Sequence, residues 1–343
     1  MRIRLRLLIT MLLAFTGLPV VGRAQNPPPA PNPHPLATIR VIGFAGGFNL
    51  PLWVAERNGY FDRQGLEMRL SFTPNSVYQM TNLLAGNFDI AMTAIDNVVA
   101  YDEGQGEAPI GPDPELFAFL GSDDAFLSLV TQGPDKSFDD LRGKTLTVDA
   151  MTTGFAFVLR DLLAKEGVND VSFARAGGVL DRYVDMLKNP AHAGTIQMTP
   201  FDLLGQEHGQ NVLVRIRDAL GPYQGIVAAA RRPWAAAHRA EVVGFIRAYK
   251  QAIDWLYDPA NRRVAEAILV AHIPAMSFDL AHKTYDILLA PTGGFFRDVT
   301  PSIPGIRTVL ALRTKYGEPH RDLTDPMRYV DLSYLRAAQE PGR

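Results

Sequence analysis

The chain has 343 residues, of which 47% are hydrophobic and 20% are charged, and its formal net charge at pH 7 is -2. This length and hydrophobic fraction suffice for one large or two medium domains, and the near-neutral charge gives no indication of nucleic-acid binding. Because the sequence contains no cysteine, disulfides, thiol nucleophiles, thiolate metal sites and a lipoprotein anchor are excluded.

The first 24 residues have the pattern of a secretory signal peptide. Arginines at positions 2, 4 and 6 precede an apolar run from Leu7 to Leu18, and Gly22-Arg23-Ala24 places small residues where a signal peptidase reads them. The alternative is an uncleaved membrane anchor, but the run is shorter than the roughly 20 residues that a membrane span requires. We therefore expect export with cleavage after Ala24, followed by a disordered proline-rich linker over residues 25–37.

Strand and helix patterns alternate from Thr38 onward. The sequence predicts strands at 38–44, 66–72 and 88–93, with helices opened by Pro51 and by Val77 between them. This order is typical of a mainly parallel sheet with helices on both faces. Asp96 follows the third strand, where it is a candidate N-cap of the next helix or a ligand acceptor.

A strand-to-helix turn near the middle of the chain is a further candidate site. Residues 145–148 predict a short buried strand, and apolar residues at helical spacing from 155 to 163 predict the helix that follows. Thr152, Thr153 and Gly154 therefore lie where unpaired N–H groups and the positive end of a helix face solvent, which suits a small polar ligand. The alternative is that Thr152 or Thr153 only caps the helix.

The rest of the chain contains a second α/β unit and a largely helical end. The segments near 126–131 and 224–230 are apolar and would cross between the two units. The predicted fold is α/β with two lobes, each a mainly parallel sheet flanked by helices, and with two crossing strands as the hinge. Residues 38–125 and 226–320 are expected to form lobe 1, 126–225 lobe 2, and 321–343 a tail.

Four segments resemble one known family in order and spacing. They are Pro51-Leu-Trp-Val-Ala-Glu-Arg-Asn-Gly-Tyr-Phe-Asp-Arg-Gln-Gly-Leu-Glu, Leu83-Leu-Ala-Gly-Asn-Phe-Asp-Ile-Ala, Leu141-Arg-Gly-Lys-Thr-Leu-Thr-Val, and the region from Asp181 that ends in Pro200-Phe201-Asp202. This pattern is similar to periplasmic substrate-binding proteins of the nitrate, sulfonate, taurine and thiamine-pyrimidine group. The resemblance implies the type II binding-protein fold, closure over a small solute, and delivery to an ABC-type import permease in the inner membrane.

The same resemblance implies a solute site in loops that follow the strands. The candidate ligand-binding residues are Phe48, Asn49, Trp53, Thr93, Asp96, Asp149, Thr152, Thr153, Gly154, Phe155, Pro200, Phe201 and Tyr223. Structural alternatives are that Asp149 ties down the following turn, that Asn49 is a turn residue, and that Trp53 and Phe201 are plain core.

Several features of these loops bear on the solute. They contain no Arg or Lys and place Asp96 and Asp149 at strand ends, whereas the sulfonate and nitrate binders that the chain resembles generally offer Ser or Thr donors and sometimes a basic residue. The expected solute is a sulfonate, a nitrate-like ion or, if aromatic residues line the cleft, a planar pyrimidine or aromatic compound.

Enzyme function is not expected. The sequence has no nucleophile elbow, P-loop, zinc-protease or dinucleotide motif, and its seven histidines show no ligand spacing. A pyrimidine-precursor synthase on the same fold depends on a cysteine-rich motif that this chain lacks, and an exported sensor partner that feeds a receptor is a further alternative. We expect a monomeric periplasmic protein without cofactor, metal, nucleic-acid partner or lipid anchor.

Overall fold

The computed structural model describes residues 36–110 and 114–340. The predicted signal peptide and all but the last two residues of the predicted linker lie outside the described residues. The strands are β1 Ala37–Gly43, β2 Leu66–Phe72, β3 Ile90–Ala94, β4 Leu116–Gly121, β5 Leu127–Thr131, β6 Thr145–Val148, β7 Ser172–Arg175, β8 His192–Met198, β9 Asn211–Arg215 and β10 Ile226–Arg231.

The helices surround these strands. They are α1 Leu50–Arg57, α2 Tyr60–Arg63, α3 Ser76–Leu84, α4 Ile95–Asp102, α5 Gly154–Lys165, α6 Val179–Lys188, α7 Phe201–Glu207, α8 Ile216–Leu220, α9 Arg232–Ala237, α10 Arg239–Leu256, α11 Arg262–His272, α12 Phe278–Leu288, α13 Ile303–Tyr316 and α14 Ser333–Gln339. Short 3₁₀ helices lie at Gly47–Asn49, Asp139–Leu141, Pro259–Asn261 and Pro326–Tyr329. No helix in the described ranges is long and apolar enough to cross a membrane.

The strands form two sheets with the same topology. The first sheet has the order β2-β1-β3-β10-β4 and the second β7-β6-β8-β5-β9. In each sheet four strands run in one direction, while β10 in the first and β5 in the second run antiparallel to both neighbours. The two-lobed α/β fold predicted from the sequence is confirmed, and we call the part around each sheet the first and the second lobe.

The two antiparallel strands are those that directly follow the crossings between the lobes. The crossings lie side by side, because the Gly225 amide donates to the Asp123 carbonyl oxygen at 3.1 Å. The side chain of Asp123 also accepts hydrogen bonds from the amides of Ala125 at 2.9 Å and Ile226 at 3.1 Å. One buried carboxylate therefore fixes the backbone of both crossings.

The core of the first lobe lies between its sheet and α10. Every residue of β4 is buried, as expected for an apolar strand covered on both faces. Phe119 of β4 packs edge-on against Phe245 of α10, with 6.1 Å between ring centroids. In β2, Leu66, Met68, Leu70 and Phe72 alternate with polar residues, a pattern that predicts one buried face. This holds at Leu66 and fails at Phe72, which is 49% exposed at the end of this edge strand.

The described part of the predicted tail packs against the first lobe. The ring of Tyr334 in α14 lies 5.5 Å from that of Phe117 in β4. The Asp331 amide donates to the carbonyl oxygen of Ala118 at 2.9 Å. The described part of the predicted tail thus lies against β4, the edge strand of the first sheet.

Candidate functional site

A cavity of about 40 Å³ lies between the lobes. It is lined from the first lobe by Phe44, Ala94, Asp96, Asn97 and Ile226, and from the second by Asp149, Thr153, Gly154, Phe155, Val179, Arg182 and Met198. Several of these residues end a strand or begin a helix, which is where sheets of this type bind ligands. The cavity therefore lies where the sequence places a shared cleft.

Asp96 of the first lobe contacts the second lobe directly. Its carboxylate accepts a hydrogen bond at 2.6 Å from the amide of Gly154, the first residue of α5. The predicted role of Asp96 as N-cap of its own helix is wrong, because α4 begins at Ile95 and its N-cap is Ala94. The side chain instead satisfies an unpaired amide at the positive end of a helix in the opposite lobe.

Arg313 of α13 holds Asp96 in this position. The guanidinium forms a bidentate pair with the Asp96 carboxylate, with Nε–Oδ1 and Nη2–Oδ2 distances of 2.6 and 3.0 Å. It also donates to the carbonyl oxygen of Thr152 in the second lobe at 2.6 Å and to Gln105 at 3.0 Å. Arg313 is fully buried, so protein groups take the place of water around its charge.

Asp149 makes the reciprocal contact from the second lobe. Its carboxylate accepts from the amide of Ser76, the first residue of α3, at 3.0 Å to Oδ2 and 3.3 Å to Oδ1. Burial raises the pKa of Asp149, and the charge of Arg182 opposes that shift. Asp149 thus joins the lobes through Ser76, rather than tying down the turn at residues 152–153.

Further contacts hold the lobes together around the cavity. The Gly178 amide of the second lobe donates to the carbonyl oxygen of Pro74 at 2.8 Å. Glu107 of the first lobe pairs with Arg175 at the end of β7. The structure is therefore a closed form in which both lobes contact each other on several sides of the cleft.

Arg182 adds a positive charge to the cavity wall. It lies on α6, is 2% exposed, and donates to the carbonyl oxygens of Gly177 at 2.7 Å and Ile196 at 3.0 Å. Its Nε–H has no hydrogen-bond partner among the described residues. Burial lowers the pKa of Arg182 to about 10, so the guanidinium is still charged at neutral pH.

Neither arginine was predicted from the sequence, because neither lies in a loop after a strand. Arg182 follows Val179 at i+3 on the buried side of α6, and Arg313 follows Ile306 and Leu310 at i+7 and i+3 on the buried side of α13. A charged residue within an apolar helical stripe is the signal that could have identified them, since charges are rarely buried without a partner.

The predicted turn at α5 contributes to the site mainly through its backbone. Thr153 is the N-cap residue, but its hydroxyl donates to the Ala150 carbonyl oxygen at 3.0 Å and makes no capping bond. Thr152 provides the carbonyl oxygen that Arg313 binds. The prediction that a threonine hydroxyl caps α5 is therefore wrong, and the carboxylate of Asp96 takes that role.

Several other predicted site residues lie behind the cavity wall. The Asn49 side chain donates to the carbonyl oxygens of Phe44 at 2.7 Å and Gly46 at 3.0 Å, as a turn residue would. The buried Thr93 hydroxyl accepts from Asn97 at 2.9 Å. Neither side chain lines the cavity, so any contact with solute is left to their neighbours.

The remaining predicted aromatic residues are buried, mostly away from the cavity. Trp53 stacks on His272 with ring centroids 4.3 Å apart, and Phe201 stacks on Tyr183 at 5.6 Å. Phe48 is 2% exposed, Pro200 lies against Gly47, and the buried Tyr223 ring lies 6.4 Å from Phe155. Of the predicted site residues, the cavity brings together Asp96, Asp149, Thr153, Gly154 and Phe155. Ligand binding by all thirteen stays a prediction.

The architecture and the interlobe cavity define a protein with the periplasmic binding protein fold. Similar solved structures include a Bordetella bronchiseptica RB50 protein (17% identity, TM-score 0.74, 88% of this chain and 96% of that chain). The periplasmic nitrate-binding protein NrtA from Synechocystis PCC 6803 has 13% identity and a TM-score of 0.71, with 88% of each chain covered. The alkanesulfonate-binding protein SsuA from Xanthomonas axonopodis pv. citri, bound to MOPS, has 15% identity and a TM-score of 0.67, with 86% of this chain and 98% of that chain covered.

Sequence comparison places the chain within one family. The family model described as NMT1/THI5 like matches residues 49–261, and the chain belongs to this family, which confirms the resemblance predicted from the four segments. A curated relative, YtlA of Bacillus subtilis (strain 168), is 33% identical over 100 residues, which span 29% of this chain and 28% of YtlA.

Proposed function

We propose that this protein is an extracytoplasmic solute-binding protein that encloses a small organic solute between its lobes and delivers it to an ABC-type import permease. The observation that carries the proposal is a cavity walled by both lobes at strand ends and helix starts. Membership of the NMT1/THI5-like family and the fold shared with NrtA and SsuA support it. Function in this sense requires closure, and no covalent chemistry.

The closed form is stabilised by the chain itself. Two carboxylate–amide hydrogen bonds cross the cleft, from Gly154 to Asp96 and from Ser76 to Asp149, and hydrogen bonds to charged groups contribute about 1.5–3 kcal/mol each. A solute shifts the equilibrium only by its differential affinity for the closed lobes.

A glycine at the interface allows closure to be tested. A Cβ added at Gly154 would lie 2.4 Å from Cγ of Asp96, whereas one at Gly43 would lie 3.5 Å from its nearest neighbour, Cβ of Met92. We expect Gly154→Ala to prevent full closure and Gly43→Ala to serve as a matched control.

The solute is identified by mass spectrometry of material that co-purifies with the protein. A thermal-shift panel of ethanesulfonate, nitrate, benzoate, benzamide and cytosine tests the candidate classes. The solute should reduce the radius of gyration of wild type and Gly43→Ala in small-angle X-ray scattering, and not that of Gly154→Ala. Uptake of labelled solute by cells with and without the gene tests delivery. Absence of any bound solute, or a solute that binds Gly154→Ala and wild type equally, would contradict the proposal.

A further inference from the structure

We propose that Asp149 is an internal anion that fills an anion-binding position in the cleft, so that the protein takes an uncharged solute and rejects sulfonates and nitrate. The inference rests on the proposed function, because it concerns the solute of that same cavity. It narrows the classes of solute that the sequence leaves open, which are sulfonates, nitrate-like ions and planar pyrimidine or aromatic compounds.

The first part of this anion-binding position is the N-terminus of α3. Its first amide, of Ser76, donates to the Asp149 carboxylate, and its third, of Tyr78, donates to the Asn75 side chain at 2.8 Å. The positive end of a helix with exposed amides favours a carboxylate, sulfonate or phosphate group. Here the group comes from the opposite lobe of the same chain.

The second part is Arg182, which lines the same cavity. Its guanidinium is 2% exposed and its Nε–H is unpartnered among the described residues. The charge of Arg182 acts on the Asp149 carboxylate, although no hydrogen bond joins the two. A helix end and a buried arginine thus act on one carboxylate, as they would on a bound anion.

The other carboxylate of the cavity wall, that of Asp96, also lies between a helix amide and an arginine. Asp96 accepts from the first amide of α5 and is paired with Arg313. An incoming anion would therefore meet two carboxylates whose arginine partners are already neutralised, and burying an uncompensated charge is unfavourable.

The remaining wall suits an uncharged molecule. Its apolar surface comes from Phe44, Phe155, Val179, Met198 and Ile226. The Arg182 Nε–H has no partner among the described residues, and an unmet buried donor is costly. Among the described residues, the wall is therefore largely apolar, and each of its two aspartates already lies beside a helix amide and the charge of an arginine.

Chemical rescue tests the role of Asp149. Asp149→Ala removes the carboxylate and leaves Arg182 and the Ser76 amide available, whereas Asp149→Asn removes the charge and keeps the space filled. We expect formate to raise the Tm of Asp149→Ala by about 3 °C relative to chloride at equal ionic strength. Wild type and Asp149→Asn should show no such rise, and nitrate should act as formate does.

The inference is overturned if formate and nitrate leave a folded Asp149→Ala unaffected, or if they stabilise wild type equally. If Asp149→Ala does not fold, Asp149→Ser provides the same test. A co-purified solute that is anionic at pH 7 also overturns it, and an uncharged one supports it. Rescue of Asp149→Ala without any solute for wild type would contradict the proposed function alone, while an uncharged solute for wild type without rescue would contradict the assigned role of Asp149.

Discussion

The buried pair of Asp96 and Arg313, which contacts the second lobe at Gly154 and Thr152, is predicted to be the electrostatic contact at the cleft that is most sensitive to substitution. Their side chains are 2% and 0% exposed, and the bidentate contact has distances of 2.6 and 3.0 Å. Removing one member of a buried pair leaves an uncompensated charge, which costs about 3–5 kcal/mol, while replacing both members costs much less. We therefore expect Asp96→Asn and Arg313→Met each to lose about 3–5 kcal/mol of unfolding free energy.

The double variant Asp96→Asn/Arg313→Met separates the pair from its surroundings. Its loss should fall short of the sum of the single losses by about 2 kcal/mol or more, as coupled neighbours do. Equilibrium urea unfolding followed by circular dichroism measures all four proteins. Arg69→Met is the control, because Arg69 and Glu67 form an exposed pair (65% and 44%) whose loss should cost less than about 1 kcal/mol. Additive losses, or a cost for Asp96→Asn no larger than for Arg69→Met, would refute the reasoning.

Two further predictions concern the hinge and the edge of the site. Burial raises the pKa of Asp123 from 3.8 to about 6, and a raised folded-state pKa means stability that is present below pH 4 and lost as the pH rises to about 6. The unfolding free energy of Asp123→Asn should therefore rise by about 3 kcal/mol relative to that of wild type between pH 3.5 and pH 7. Urea unfolding at each pH measures this difference, and a difference that does not change with pH would exclude the raised pKa of Asp123 as its cause. Because Trp53 stacks on His272 outside the cavity, Trp53→Phe should leave solute affinity within about twofold of wild type by titration calorimetry; a larger loss would place this ring in the solute site.

Local pattern predicted the elements well because each depends on residues close in the chain. The bounds of β2 agree with those predicted from its alternating residues, and α5 begins at Gly154, one residue before the apolar helical spacing begins. The family was also predicted from short segments, which contain helix ends and the turns that follow strands. The cleft at strand ends then follows from the topology of such sheets.

Partner choice could not be predicted in the same way. Asp96 and Asp149 were correctly placed at strand ends, but a carboxylate there can cap its own helix, bind solute or reach the other lobe. Those options differ only in what the fold brings near: Gly154 is 58 residues from Asp96, and Arg313 is 217 residues away.

The sequence by itself determined the α/β elements, the family and the polar strand ends, because periodicity and turn chemistry act over a few residues. Only the tertiary structure decided that the aspartates satisfy helix ends across the cleft, that Arg313 pairs with Asp96 while the charge of Arg182 acts on Asp149, and that Trp53 packs on His272. Burial patterns show that a side chain is covered, whereas the surface that covers it is set by the packing of distant segments.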